Sequence, residues 1–218
     1  MNLAIFDLDN TLLAGDSDYL WGQFLVEKAL VDPVLYEQEN QRFYDEYKAG
    51  TLDIFEFLEF SLAPLSQHSL ATLTELHEEF MQNKIDSIWL PKAQELLDKH
   101  RKKHDFLLII TATNHFVTAP IAKKLGVDDI IATMPELIDN RYTGKVAGTP
   151  CFQEGKVDRL DQWLQENDYS LKESYFYSDS YNDLPLLLNV TYPVAVDPDK
   201  RLKKHAEENG WPILSLRD

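Results

Sequence analysis

Two carboxylates two residues apart, Asp7 and Asp9, close a short apolar run, Leu3-Ala4-Ile5-Phe6. If the strand continues they point the same way. Like charges held together are costly unless a cation shares them. A hard divalent cation such as Mg²⁺ takes oxygen ligands and would relieve that cost. A solvated acidic turn has the same composition, so the pair alone leaves both readings open. A second group, Thr111-Ala112-Thr113-Asn114, directly follows the apolar run Phe106 to Ile110. A hydroxyl there, with free amides at the start of the next helix, makes an anion site. Simple N-capping by Thr113 or Asn114 is the alternative.

Glu154-Gly155-Lys156 opens a helical stretch over 155–166, where Lys156 could reach a phosphate as a point charge. Taken alone, Lys156 reads as an ordinary surface lysine. The last group is Ser178-Asp179-Ser180-Tyr181-Asn182-Asp183-Leu184-Pro185. It places Asp179 and Asp183 at a strand-to-helix junction, where a capped helix start has the same pattern.

These groups need elements that bring them together. Apolar runs at 3–6, 106–110, 130–132, 175–177 and 193–196 read as buried strands, and helical stretches such as 91–103 and 155–166 separate them. That alternation predicts an α/β sheet with crossover connections. The polar residues fall at the C-terminal ends of the strands, the edge where open α/β sheets bind ligands. Residues 17–84 break the alternation with four helical stretches, 17–30, 33–48, 53–62 and 69–84. Asp32 and Pro33 mark one start, and Gly50 and Gly126 mark helix ends. Asp139-Asn140 predicts a small hairpin. Tyr36, Phe43, Tyr44 and Tyr47 share one face. Ten of the 25 aromatic residues lie between Tyr19 and Phe60. Their spacing favours packing, with a few left to line a cleft.

The chain has 218 residues and a formal net charge of −16. It can bury roughly 70% of its unfolded surface without a metal or disulfide staple. The charge argues against a nucleic-acid reader and against docking on an anionic membrane. It does not exclude an anionic substrate, because a local cation can reverse the sign of one pocket. No signal peptide is expected from MNLAIFDLDN, and no apolar run is long enough to span a bilayer. Cys151 is the single cysteine, which suits a reducing cytoplasm. It reads as structural. His100 and His104 have a spacing that can bind metal. Beside Arg101-Lys102-Lys103 they read instead as an exposed basic helix end.

Taken in order, Asp-x-Asp-x-Thr, a strand-terminal Thr, a Lys and Asp-x-x-x-Asp resemble the haloacid dehalogenase superfamily. The helical insert after the first motif resembles the branch that includes phosphoserine phosphatase. Asp7-Leu-Asp-Asn-Thr-Leu-Leu, Thr111-Ala-Thr-Asn, Thr149-Pro-Cys-Phe-Gln-Glu-Gly-Lys156 and Tyr177-Ser-Asp-Ser-Tyr-Asn-Asp-Leu-Pro are similar to a bacterial subgroup associated with histidinol phosphatase activity. The resemblance implies a Rossmannoid parallel-sheet core over 1–15 and 85–218, with an inserted helical cap of the C1 type over 16–84. It implies a Mg²⁺-dependent phosphomonoesterase acting on a small phosphorylated metabolite through an aspartyl-phosphate. Histidinol phosphate is the expected substrate. No nucleic-acid or membrane partner is expected, and a monomer or a homodimer is equally compatible.

Roles follow from the same resemblance. Asp7 would be the nucleophile and Asp9 the general acid and base. Mg²⁺ would be held by the Asp7 carboxylate, the Asp9 main-chain carbonyl and Asp179. Asp183 would sit behind them, orienting a metal-bound water or Lys156. Thr111, with Ala112 beside it, and Lys156 would hold the phosphoryl oxygens. Asn182 matches a polar position near the phosphate. Asp16 stands where phosphoserine phosphatases carry a glutamate that contacts the substrate amine. The chain departs from that branch at Ser178 and Ser180, where glycines are usual. It also lacks an evident cap arginine for a substrate carboxylate. Arg42 is the one arginine between 16 and 90, and it reads as a solvated helix face. Phosphoserine phosphatase, or another small-molecule phosphatase or phosphotransferase of the branch, is the alternative. A phosphate-binding or receiver-like signalling module is a different class, and the receiver order of acids and lysine differs from this one.

Overall fold

The computed structural model describes residues 2–217. One seven-stranded sheet runs through it in the order β4-β3-β2-β1-β5-β6-β7. The strands are β1 (Leu3–Phe6), β2 (Phe106–Asn114), β3 (Asp129–Ile138), β4 (Arg141–Ala147), β5 (Tyr175–Ser178), β6 (Tyr192–Val196) and β7 (Ile213–Leu214). All neighbours pair in parallel except β3 and β4. Those two form the hairpin foreseen at Asp139-Asn140, whose positive φ values of 48° and 59° suit a two-residue hairpin turn.

Alternation along the strands divides the core between two faces. Ala4, Phe6, Leu107 and Ile109 point to one face. Leu3, Ile5, Leu108 and Ile110 point to the other, under α7 (Glu154–Asn167), α8 (Leu184–Leu187) and α9 (Lys200–Asn209). The first face is covered by α5 (Pro91–Lys102) and α6 (His115–Leu125), and by the helices between β1 and β2.

Those helices are α1 (Ser17–Glu27), α2 (Pro33–Ala49), α3 (Ile54–Leu62) and α4 (Leu70–Asn83). Each begins on a side-chain cap: Asp16, Asp32, Asp53 and Ser69 accept main-chain N–H groups of their own first turns. Trp21 of α1 lies 5.2 Å from Phe80 of α4 and 5.4 Å from Phe116 of α6, ring centre to ring centre. The apolar cluster therefore runs without a break from the strands into the insert.

Three boundaries differ from the sequence expectation. Strand β2 continues to Asn114, because its last residues pair with β3 after Ala112 and Thr113 bulge out of register. Strand β3 is longer than 130–132, because its outer half pairs with β4. Helix α1 ends at Glu27 rather than 30, and Ala29 follows with a φ of 53°.

The expected exposed basic end fails for His100. It is 1% exposed, with Nδ1 at 2.8 Å from Asp105 and Nε2 at 2.9 Å from the Tyr177 hydroxyl. The physical reason is periodicity: His100 follows Ala93 and Leu97 on the buried stripe of α5. His104 lies past the helix and is exposed. Among the described residues no helix is long and apolar enough to cross a membrane.

His77 of α4 ties the insert to α6. Its Nε2–H donates to the Val117 carbonyl at 2.8 Å, and its ring sits among Trp21, Phe80 and Phe116. Burial is the main cause that pushes its pKa below the ordinary histidine value. The unfolded chain therefore takes up a proton near pH 6.5 that the folded chain refuses until lower pH, so this contribution fades as pH falls. His77→Phe removes this tie to the Val117 carbonyl and costs about 1 kcal/mol at pH 7.5. Urea denaturation at pH 7.5 and 5.5 should show the gap between wild type and variant narrowing at the lower pH.

Candidate active site

Strands β2, β1 and β5 are neighbours, so their C-terminal ends bring Thr111, Asp7 and Asp179 to one edge. Asp7 extends β1, donating its N–H to the Tyr177 carbonyl at 2.9 Å. Its carboxylate is buried beside Lys156, whose Nζ lies 2.8 Å from Asp7 Oδ1 and 2.7 Å from Asp183 Oδ1. Lys156 is 2% exposed, which overturns its reading as a surface lysine. Burial opposes its charge, but Asp183 and Asp7 outweigh that and hold its pKa well above the usual range.

Lys156 reaches this place because α7 starts close to the preceding loop. A β-carbon on Gly155 would collide with the Pro150 carbonyl, so glycine is required there by contact rather than by backbone angle. The loop after β5 is built by hydroxyls. Ser178 Oγ donates to Asp183 at 2.7 Å and accepts the Ser180 N–H. Ser180 Oγ in turn accepts the Asn182 N–H. The two serines thus organise the loop through side-chain bonds.

Asp9 turns the other way. Its Oδ1 accepts the Ser17 N–H at 2.6 Å and its Oδ2 accepts the Thr113 hydroxyl at 2.8 Å. Thr113 is therefore not the helix cap. Asn114 caps α6, accepting the Val117 N–H. Burial pushes both Asp7 and Asp9 up to about 7. For Asp7 the Lys156 charge works against that rise, and for Asp9 the Asp16 charge adds to it.

Asp179 is raised well above the carboxylate range, by burial first and then by Asp7 and Asp183. Its Oδ1 lies 3.1 Å from the Thr11 hydroxyl, which also lies 3.3 Å from Asp7 Oδ2 and accepts the Asp179 N–H. One hydroxyl proton cannot satisfy both carboxylates. Among the described residues no three Asp, Glu, His or Cys side chains converge on one point. The Asp9 carboxylate faces Ser17 and Thr113. No main-chain N–H among the described residues donates to the Asp9 carbonyl. The buried Asp7 carboxylate, the half-buried Asp179 carboxylate and the Asp9 carbonyl, all oxygen, are the donor set that suits a hard cation.

A cavity opens over this edge. Asp7, Asp9, Thr111, Ala112 and Thr113 form its floor, and Asp16 and Asp18 one side. Tyr19, Phe43, Tyr44, Tyr47, Phe57 and Phe152 supply aromatic walls. None of its lining residues is a lysine or an arginine. Asp16 is in the cavity wall, yet its Oδ1 is engaged as the cap of α1. Asn182 is not in the lining; its side-chain amide donates to the Tyr47 carbonyl of α2 at 3.0 Å. Arg42 is not in it either, and pairs with Glu39, Glu46 and Glu56. Asp18 joins the site without having been singled out, and Thr11 and Thr113, named only within their motifs, join it too. Asp18 meets Asn114 Nδ2 across 96 residues, a contact no local pattern signals.

A family model described as haloacid dehalogenase-like hydrolase matches residues 4–188. The chain is 48% identical to a histidinol-phosphatase of Neisseria meningitidis serogroup C (strain 8013), covering 99% of each chain. It is 33% identical to a phosphoserine phosphatase, SerB1, of Mycobacterium tuberculosis, over 98% of this chain and 70% of that protein. A crystal structure of a protein of unknown function from Bordetella pertussis Tohama I superposes with a TM-score of 0.93 at 44% identity, covering 99% and 98% of the two chains. A substrate-bound phosphoserine phosphatase superposes with a TM-score of 0.72 at 17% identity, covering 99% and 93%, a likeness of fold alone.

The raised carboxyl of Asp9 predicts a stability effect. A group whose folded pKa lies near 7 against an unfolded 3.8 contributes stability at low pH and loses it as pH rises through 7. In metal-free buffer at pH 8, Asp9→Asn should therefore be more stable than wild type by about 1–3 kcal/mol. The gap should shrink as pH falls from 7 toward 4, read by denaturant titration.

Proposed function

The chain belongs to the haloacid dehalogenase-like hydrolases, and from that premise we propose that it is a phosphoric monoester hydrolase whose substrate is histidinol phosphate. One observation carries the substrate: the cavity over Asp7 holds carboxylates and aromatic rings and no cationic side chain in its lining. An ammonium and an imidazole suit that lining. Asp16 and Asp18 would attract the ammonium, and the aromatic walls would stack on the ring. The relative named a histidinol-phosphatase, at 48% identity over the whole chain, supports the same reading. A phosphoserine substrate brings a carboxylate into this acidic cavity, and that reading is secondary.

In this proposal an Asp7 oxygen attacks phosphorus and the bond from phosphorus to the leaving oxygen breaks. Asp9, raised to about 7, gives its proton to that oxygen. Water then attacks the aspartyl-phosphate, Asp9 takes the water's proton, and the Asp7–phosphorus bond breaks to release phosphate. Lys156, with Thr111 and the main chain at Ala112, holds the phosphoryl oxygens. Asp183 keeps Lys156 in place. Asp7 and Asp179 through their carboxylates, and Asp9 through its carbonyl, would hold Mg²⁺. When bound, that ion supplies positive charge to the phosphoryl oxygens and offsets the buried acids. We place the helices of 16–84 as a cap over a core of 1–15 and 85–218, screening the site from water. The lone buried Cys151 suits a reducing compartment such as the cytoplasm.

Phosphate release from a panel of esters tests the reading. Histidinol phosphate should exceed phosphoserine in kcat/KM by about 100-fold or more. Activity should vanish with a chelator and return with Mg²⁺. Phosphoserine outpacing histidinol phosphate would overturn the substrate. Asp7→Asn should lower kcat by about 10⁴-fold or more with the fold intact, and residual turnover near wild type would overturn the nucleophile.

A further inference from the structure

The C-terminal end of α2 meets the core at a junction that the reaction scheme does not use. Helix ends leave carbonyls without partners inside the helix. Two carbonyls at the end of α2 take donors from across the fold: Tyr47 O, which also accepts the Gly50 N–H, takes Asn182 Nδ2 at 3.0 Å, and Ala49 O takes Arg201 Nη1 at 3.5 Å. Gly50 closes α2 with φ 74°, and a β-carbon there would come within 2.9 Å of the Arg201 guanidinium. The φ is what favours glycine at this position, and the tip of the exposed Arg201 side chain lies against its open face. Its guanidinium also lies 4.1 Å from the Tyr181 ring centre, a stacking distance for a cation on an aromatic face. The base of this junction is Asp199. Its side chain caps α9 and accepts the Tyr181 N–H at 2.6 Å, and its own N–H donates to the Asp179 carbonyl at 2.8 Å.

The end of α2, the loop from Asp179 to Asp183 and the start of α9 are thus one connected unit. Tyr44 and Tyr47, on the last turns of α2, are walls of the cavity. We propose that Arg201 is a positioning residue for the reaction: with Asn182 it clasps the end of α2 and so sets the aromatic wall over the nucleophile in register with the carboxylate loop. Arg201 touches no lining residue's reactive atoms and acts through Ala49 and Tyr181. The planar fork matters, because it must approach a carbonyl and lie on a ring together, which a lysine ammonium does not reproduce. The kinetic part of this proposal rests on the phosphatase reading; the clasp itself does not.

Two measurements on the full chain test it. In Arg201→Ala, hydrogen exchange of the amides of residues 44–52 should rise about 3-fold or more, while the amides of β1 and β2 keep their protection. KM for histidinol phosphate should rise by about 3–10-fold with kcat nearly unchanged, whereas methyl phosphate, which carries no ring for the α2 tyrosines to meet, should keep its KM. Arg201→Lys should recover the gain in exchange only in part. Unchanged exchange at 44–52 in Arg201→Ala would overturn the clasp. Raised exchange with an equal loss on both esters, or with kcat falling and KM unchanged, would overturn the positioning role. If no phosphate ester is turned over by wild type, the phosphatase reading fails, and the exchange measurement still decides the clasp.

Discussion

The structure is organised around one buried ammonium. Lys156 lies between Asp7 and Asp183 at a depth where an unpaired charge is not tolerated, and removing one partner of such a pair costs about 3–5 kcal/mol. Each neighbouring feature serves that contact. The packing of Gly155 against Pro150 lets α7 begin near enough for the side chain to reach. The Ser178 hydroxyl fixes Asp183, and the parallel pairing of β1 with β5 brings Asp7 beside it. One lysine does not balance the carboxylates. Asp7, Asp9 and Asp179 are all pushed upward by burial, and this imbalance is the physical content of the metal proposal.

Much of this arrangement was legible in the amino-acid order. Apolar runs ending in Asp7, Thr111 and Asp179 announced strands whose tips share an edge, and Asp139-Asn140 announced the hairpin. The capped helices of the insert were also readable, since Asp32, Pro33 and Gly50 are local signals. What stayed hidden depends on distant pairing. Taken alone, Lys156 looks like any surface lysine; only the order of the motifs pointed to it, and its burial between two carboxylates appears once α7 is placed against β1. His100 looks basic by its neighbours in sequence and is apolar by its position on the helix. Thr113 carries Asp9 instead of a cap because β2 bulges at Ala112 and Thr113, a feature that pairing with β3 imposes.

The aromatic residues of the insert divide between two tasks that their spacing does not separate. Tyr36 packs on Phe60 with ring centres 4.3 Å apart, and Trp21 and Phe24 fill the interior. Phe43 does both, touching Phe57 and Phe60 while facing the cavity. Tyr44 and Tyr47, on the same helix face, look over Asp7 and Asp9. A wall made of rings on a helix changes its chemistry by single substitutions without changing its backbone, whereas the carboxylate floor belongs to strand ends and tight loops. In the proposed reaction, selectivity and reactivity would therefore sit on separate parts of the chain.

The unbroken apolar cluster that joins strands and insert has a consequence for anyone exchanging parts between relatives. An insert bounded by loops at both ends invites transplantation as a cassette. Here the seam runs through Trp21, His77, Phe80 and Phe116, and the fourth of these belongs to the recipient side. A donor segment that carries its own specificity would arrive facing a foreign ring at Phe116 and a foreign carbonyl at Val117. A chimera that keeps this packing would therefore have to take α6 along with the insert, so the exchangeable unit is larger than the segment that lies between β1 and β2.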